Sequence, residues 1–269
     1  MSRRTWLWQA ADLSDAVLVK QHLSFCSQKN VSVIYLFLSN LISDQTYRDF
    51  IREASALNIK IHAAIGEKTW YHPNNYHYIQ EKLLRVKDYQ SASATEELFT
   101  GIHFDIEPHT LDEWKTNPHQ VLKDWLTNIQ SYSSFVKGYL GIELSAALPL
   151  ALKNEDFSLA TSEIIRLHDK VAIMAYRNFV EGPDSVASIV DPFIALADKL
   201  GKPKSIIVGQ ETKPLKEDKL TYAHLGEAAL LRNIELINNR YHSYASYEGV
   251  AVHSLEYWEP LPYNPTTQV

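Results

Sequence analysis

The stretch Thr100–His109, TGIHFDIEPH, alternates apolar and polar side chains as a β-strand does. Successive side chains of a strand point to opposite faces, so the alternation sorts these residues into two sets. The apolar set is Ile102, Phe104 and Ile106, and the polar set is His103, Asp105 and Glu107. A strand of this kind suits a closed sheet whose apolar outer face meets helices. The stretch therefore predicts a barrel strand that turns two carboxylates toward the interior of the barrel.

Seven other runs share its short length and its apolar or β-branched content, and segments with helical periodicity lie between them. They are TWLWQA (5–10), VSVIYLFLS (31–39), IKIHAAIGE (59–67), IELSAALPL (142–150), KVAIMAYRN (170–178), SIIVGQET (205–212) and VAVHSLEYW (250–258). Eight strands that alternate with helices, without a long linker or an internal repeat, indicate an α/β fold of the (β/α)8 TIM-barrel type.

The size and composition of the chain fit one such barrel. The chain has 269 residues, of which 45% are hydrophobic and 22% are charged. That length is normal for a single α/β barrel and short for two domains, so we expect one domain over residues 1–269. Only about ten residues follow the last predicted strand, and three of them are prolines. The eighth helix is therefore expected to be short or absent.

The charge and the cysteine content of the chain indicate which binding partners and which cellular compartment to expect. The 32 acidic residues outnumber the 26 basic ones, and no lysine-arginine run occurs, so we expect no nucleic-acid partner. Cys26 is the single cysteine, which excludes an intrachain disulfide. The first residues lack the apolar core of a signal peptide, and no run is long enough to span a membrane. We expect a cytoplasmic protein of undetermined oligomeric state.

The carboxyl ends of the predicted strands hold the candidate site residues, because barrel enzymes place their chemistry there. Reading the ends in order gives Trp8, then Asp105 and Glu107, Tyr176 and Arg177, Gln210 and Glu211, and finally Glu256 and Trp258. Two close carboxylates in a partly desolvated mouth cannot both ionise easily, so one pKa should rise. A carboxyl group with a raised pKa can serve as a general acid at neutral pH.

The segment TGIHFDIE resembles the strand-4 signature Asp-Gly-x-Asp-x-Asp-x-Glu of glycoside hydrolase family 18, the chitinase-like barrels. The resemblance implies that Glu107 is the general acid and that Asp105 holds the N-acetyl group of the substrate. MAYR (174–177) is similar to the strand-6 motif Met-x-Tyr-Asp, and Tyr176 falls on the tyrosine that hydrogen-bonds the acetamido oxygen. Trp258 falls on the tryptophan that forms the floor of the sugar subsite.

The sequence departs from this family at three positions of these motifs. Thr100 and His103 replace the first two aspartates of the strand-4 signature, and Arg177 replaces the aspartate of the strand-6 motif. Asp105 thus lacks a deeper carboxylate with which to share a proton, and we expect it to accept a hydrogen bond from His103. The expected substrate-binding residues are Trp258, Trp8, Arg177, Gln210, Glu211, Glu256 and His103.

We therefore expect a glycosidase that cleaves a bond next to an N-acetylhexosamine, with Glu107 as acid and base, Asp105 and Tyr176 as partners, and no cofactor. One alternative is a two-carboxylate retaining glycosidase with Glu211 or Glu256 as nucleophile. Another alternative is a sugar-binding protein without activity. We expect no metal site, because His103 and Glu107 lie roughly 13 Å apart along a strand, too far to share one ion.

Overall fold

The computed structural model describes residues 2–264 and contains a closed barrel of eight parallel strands in sequence order. The strands are β1 (Ser2–Leu7), β2 (Val31–Phe37), β3 (Lys60–Ile65), β4 (Gly101–Phe104), β5 (Glu143–Leu148), β6 (Lys170–Ile173), β7 (Ile206–Glu211) and β8 (Tyr247–His253). Each strand pairs with the next one in the chain, and β8 closes the barrel on β1. All eight predicted strands are confirmed, although β1 begins at Ser2 rather than at Thr5.

Helices connect the strands and surround the barrel. They are α1 (Ala16–Gln28), α2 (Asp44–Ala56), α3 (Tyr76–Ser91), α4 (Asp112–Thr116), α5 (Pro118–Phe135), α6 (Ser158–Leu167), α7 (Val186–Lys199), α8 (Glu227–Tyr241) and α9 (Leu255–Trp258). Capping side chains explain where three of the helices begin. Asp15, Ser43 and Asn117 accept hydrogen bonds from backbone N–H groups in the first turns of α1, α2 and α5, respectively. The four-residue α9 confirms the short eighth helix. The proline-containing tail is described only as far as Asn264.

The core has an outer layer between strands and helices and an inner layer inside the barrel. In the outer layer, the Phe104 ring stacks on Tyr132 of α5 with ring centroids 3.8 Å apart. Ile102 and Ile106 are buried in the same layer, so the predicted division of β4 into two faces is confirmed. The hydrophobic residues of the inner layer are Trp6, Val33, Tyr35, Ala64, Ala172, Ile207 and Ala251. Packed side chains thus fill the barrel, and polar residues at its carboxyl end form the floor of an open mouth.

No helix within residues 2–264 combines the length and the apolar character that crossing a bilayer requires.

Gly66 follows β3 and lies against the backbone of Asp105, where a Cβ atom would collide with the Asp105 carbonyl group. We expect Gly66→Ala to lower the free energy of unfolding by about 1–3 kcal/mol, the usual cost of forcing extra volume into a packed site. Urea unfolding measures this effect. Gly138→Ala is the matched control, since a Cβ at that position would meet nothing within 4 Å apart from its chain neighbours and the backbone of its own helical turn. Equal stability of the two variants would contradict the close approach at Gly66.

Candidate active site

A cleft of about 560 Å³ opens at the carboxyl ends of the strands. This volume lies within the range of small-molecule binding pockets. Six of the residues selected from the sequence line the cleft, namely Trp8, Asp105, Glu107, Tyr176, Glu211 and Glu256. The structure thus brings together side chains from β1, β4, β6, β7 and β8 or from the segments that directly follow them.

The backbone around Asp105 and Glu107 is fixed on both sides. The Asp105 N–H donates to the carbonyl oxygen of Ile65 at 2.9 Å, which continues the β3–β4 ladder past the end of β4. Beyond it, the Glu107 carbonyl oxygen accepts hydrogen bonds from the backbone N–H of Thr110 at 3.2 Å and from its hydroxyl group at 2.8 Å. Pro108 fixes the first backbone angle of this turn. Both carboxylates are therefore presented to the cleft on an ordered backbone.

The surroundings of Asp105 and Glu107 raise the pKa of both carboxyl groups. Burial is the main cause that raises the pKa of Asp105 to about 7, and the neighbouring Glu107 raises it further. Burial also raises the pKa of Glu107, whereas the imidazole of His253 acts in the opposite direction on both acids. One of the two groups can therefore hold a proton near neutral pH, which is the condition for a general acid.

This shift predicts a pH-dependent stability penalty at Asp105. The carboxyl group titrates near pH 3.9 in an unfolded chain and near 7 in the folded protein. The contribution of the protonated carboxyl group to the free energy of unfolding is complete below about pH 4. It is lost as the pH rises through 7, because folding then requires a buried charge. We expect Asp105→Asn to raise the free energy of unfolding by roughly 4 kcal/mol at pH 8, about 1.4 kcal/mol for each of about three units of pKa difference, and to change it little at pH 4.

Urea unfolding at the two pH values measures this effect, and Asp184→Asn is the matched control. Asp184 hydrogen-bonds Arg177 and Lys219, which lowers the pKa of Asp184 to about 2. Its replacement should therefore destabilise the protein at pH 8, with the opposite sign. A destabilised Asp105→Asn variant at pH 8 would contradict the raised pKa.

Tyr176 stands beside the carboxylates on the wall formed by the end of β6. Burial raises its pKa, and the negative charges of Glu211, Asp105 and Glu107 raise it further. The phenol group therefore stays protonated at neutral pH and can donate a hydrogen bond into the cleft.

His253, the last residue of β8, lines the cleft and was not selected from the sequence. Its Nδ1 lies 3.0 Å and 3.1 Å from the two carboxylate oxygens of Glu211. Its Nε2 accepts a hydrogen bond of 2.9 Å from the indole Nε1 of Trp8. A polar side chain at the very end of an apolar strand was the available signal, because that position faces the mouth of a barrel.

Four predicted substrate-binding residues lie outside the cleft lining, and Trp258 is the first. The apolar pattern of the sequence predicts that β8 extends to Trp258, but the strand ends at His253 and α9 begins two residues later. The indole is fully buried, donates to Glu227 of α8 at 3.1 Å, and meets the Phe25 ring of α1 edge-on. The predicted sugar-floor role of Trp258 is therefore wrong, since its ring packs in the helix layer.

Arg177 and Gln210 are also bound within the protein. Nη2 of Arg177 lies 2.6 Å from Asp184, and its Nη1 donates to the carbonyl oxygen of Tyr176 at 2.7 Å. The Gln210 amide donates to the carbonyl oxygens of Ala175 and Gly209 and accepts from the hydroxyl of Tyr222. Both side chains hold the segments after β6 and β7 in place, so their predicted substrate contacts are wrong.

His103 lies in the barrel interior beneath the cleft and is fully buried. Its ring stacks on Tyr35 with centroids 3.8 Å apart, and its Nδ1 lies 2.9 Å from the hydroxyl of Ser145. Burial lowers its pKa well below the usual value, so the imidazole is neutral. The predicted hydrogen bond from His103 to Asp105 is wrong, because the adjacent β5 supplies the partner, and a fully buried ring cannot contact substrate.

Glu256 and Glu211 do line the cleft, but protein groups already bind their carboxylates. One oxygen of Glu256 accepts from the backbone N–H groups of Trp8 and Gln9, which holds the end of β1. Glu211 is 4% exposed, and it accepts from the Lys213 backbone N–H at 2.8 Å in addition to its contact with His253. Neither group is a freely oriented carboxylate.

Within residues 2–264, no three His, Cys, Asp or Glu side chains are arranged to hold a metal ion.

Comparison with known proteins finds similar structures but no similar sequence among family models and curated proteins. A GH18 chitinase from Cycas revoluta, solved in complex with (GlcNAc)3, matches with a TM-score of 0.61 and 12% identity over 96% of each chain. The xylanase-A-amylase inhibitor protein XAIP-III matches with a TM-score of 0.59 and 12% identity, over 96% of this chain and 94% of the other. The chain therefore has the barrel fold of GH18 chitinases and chitinase-like proteins.

Proposed function

We propose that the protein is a glycoside hydrolase that cleaves a glycosidic bond next to an N-acetylhexosamine, with Glu107 as general acid and base. One observation carries the proposal. Asp105 and Glu107 lie in one cleft at the end of β4, where burial raises the pKa of both and the charge of Glu107 raises the pKa of Asp105 further. With the proton of this pair on Glu107 and with Asp105 ionised, Glu107 can supply the proton that departure of a sugar alkoxide requires.

In the first step, Glu107 donates its proton to the glycosidic oxygen as the bond to the anomeric carbon breaks. The acetamido oxygen of the same sugar attacks that carbon and forms a cyclic oxazolinium intermediate, so no enzyme ester is needed. Glu107, now a carboxylate, removes a proton from the water that opens the ring. Glu107 thus returns to its starting protonation state, because it donates one proton in the first step and takes one from water in the second.

Asp105 and Tyr176 are the proposed partners of the acetamido group. The phenol of Tyr176 remains protonated and can donate to the acetamido oxygen, which orients the oxygen for attack. An ionised Asp105 accepts a hydrogen bond from the acetamido N–H and stabilises the positive charge of the oxazolinium ring. The Cycas revoluta enzyme of similar fold was solved with (GlcNAc)3, which supports an acetamido sugar as ligand.

The alternative with Glu211 or Glu256 as nucleophile has weaker support. A carboxylate nucleophile must turn one oxygen toward the anomeric carbon. Both Glu211 oxygens lie within 3.1 Å of Nδ1 of His253. Glu256 is fixed through one oxygen by the start of the loop after β1. Attack by Glu211 would require its bonds to rearrange, and the second oxygen of Glu256, although it has no hydrogen-bond partner, is buried.

A second candidate function is sugar binding without hydrolysis. The observation in its favour is His103, which replaces an acid of the family signature and bonds Ser145 instead of Asp105. The matching fold of an inhibitor protein is compatible with this function as well.

A glycan array with the purified protein, followed by mass spectrometry of the incubated ligands, tests the proposal. We expect binding to acetamido-sugar oligomers and the appearance of shorter products. Binding without new products would favour the sugar-binding alternative. Absence of binding to any acetamido sugar would contradict both.

A further inference from the structure

Trp8, His253 and Glu211 form a hydrogen-bonded series across the ends of three adjacent strands. The indole N–H of Trp8 donates to Nε2 of His253, which requires a lone pair on that nitrogen. The single proton of the neutral imidazole is then on Nδ1, from which it is donated to the Glu211 carboxylate at 3.0 Å and 3.1 Å. The tautomer of His253 is thus fixed from both sides.

The groups around the imidazole act in opposite directions. Burial lowers the pKa of His253, but the hydrogen bond and charge of Glu211, with the charges of Asp105 and Glu256, raise this pKa above its usual value. The titratable residues Glu107, Tyr176 and Tyr257 also line the cleft, and the Tyr176 ring lies 6.0 Å from the imidazole between centroids. Lys213 is the basic residue of the cleft lining. Trp8 opposes protonation of the imidazole, because a proton on Nε2 would face the N–H group of the indole, and two donors cannot form a hydrogen bond.

We propose that His253 is a positioning residue that sets the charge on Asp105 and Glu107, and that Trp8 and Glu211 control how readily it takes up a proton. A cation at this place favours the ionised form of both acids. His103 cannot supply this positive charge to Asp105, since its imidazole is neutral and is bonded to Ser145. The role of His253 in catalysis rests on the proposed function, whereas its effect on the two carboxyl groups does not.

The proposal predicts opposite effects from two substitutions in the same series. His253→Gln keeps a polar side chain but removes the ionisable imidazole and with it the imidazolium form, so the titration of Asp105 and Glu107 should move upward by about one pH unit. Trp8→Phe keeps an aromatic ring but removes the N–H that opposes protonation, so the titration of His253 should move upward. More imidazolium at a given pH should then move the titration of Asp105 downward.

Carbon-detected NMR of labelled Asp and Glu carboxyl groups, with nitrogen-detected NMR of labelled histidine, measures these titrations without any substrate. His22→Gln is the matched control. His22 also lies between two carboxylates, at 2.6 Å from Glu259 and 3.3 Å from Asp12, but it is outside the cleft lining. This variant should leave the Asp105 and Glu107 titrations unchanged.

A side chain that only fills space would leave both carboxyl titrations where they are. Unchanged titrations of Asp105 and Glu107 in His253→Gln, or shifts of the same sign in both variants, would overturn the proposal. Because the measurement needs no turnover, it decides the role of His253 even if the protein proves to bind sugar without hydrolysing it. If a hydrolysed substrate is found, the pH–rate profile of His253→Gln should move to higher pH with the carboxyl titrations.

Discussion

Glu107→Gln should lower the turnover of a natural oligosaccharide by at least about a hundredfold, the usual contribution of a general acid. Glutamine has nearly the same shape as glutamic acid but cannot donate a proton to the glycosidic oxygen. Sugar binding should persist in the variant, because the other cleft residues are untouched. Initial rates of product formation, measured beside binding of the same oligosaccharide, separate the loss of chemistry from a loss of affinity.

The leaving group provides a second test of the same role. An aryl glycoside with an acidic phenol needs little protonation, so Glu107→Gln should retain more of its activity on that substrate. Glu163→Gln is the matched control, because Glu163 pairs with Arg166 on the surface of α6, outside the cleft lining. Equal rates of Glu107→Gln and the unmodified protein on the natural oligosaccharide would remove Glu107 from its role.

Asp105→Ala should weaken the binding of a sugar thiazoline by about ten- to a hundredfold, the usual range for a hydrogen bond to a charged group. The thiazoline imitates the oxazolinium ring, and the Asp105 carboxylate is the proposed acceptor for its ring N–H. Isothermal titration calorimetry of the two proteins with the same thiazoline measures the difference. Near-equal affinities would place the acetamido group away from Asp105.

The same inhibitor distinguishes the two hydrolytic mechanisms when it is paired with a fluorosugar. A carboxylate nucleophile would be trapped by the fluorosugar as a covalent ester, visible as a mass increase on a peptide that contains Glu211 or Glu256. The acetamido route predicts thiazoline inhibition and no such adduct. A trapped adduct without thiazoline inhibition would overturn the acetamido route and leave Glu107 as the acid.

The barrel and the carboxylate pair could be predicted from sequence because they follow from local periodicity. The alternation in β4 decides which side chains meet the helices, and the structure buries Ile102 and Phe104 accordingly. The positions of Asp105 and Glu107 at the mouth follow from the same alternation. Their chemical roles remain predictions.

The errors arose where a strand ended earlier than its apolar pattern suggested or where a distant partner bound a polar side chain. Trp258 lies on α9, and the helical turn directs its ring to Glu227 on α8. Gln210 is bound by Tyr222, and Arg177 is bound by Asp184. No pattern within a strand indicates such partners, because tertiary packing brings them together.

The most direct test of the central claim compares two oligosaccharides that differ only in N-acetylation. An oligomer of β-1,4-linked N-acetylglucosamine and its fully deacetylated counterpart are incubated with the protein, and the products are quantified by chromatography and mass spectrometry. The acetamido mechanism predicts shorter products from the acetylated oligomer and none from the deacetylated one, which lacks the internal nucleophile. Cleavage of both at similar rates would contradict the mechanism, and binding of the acetylated oligomer without any cleavage would contradict the assignment as a hydrolase.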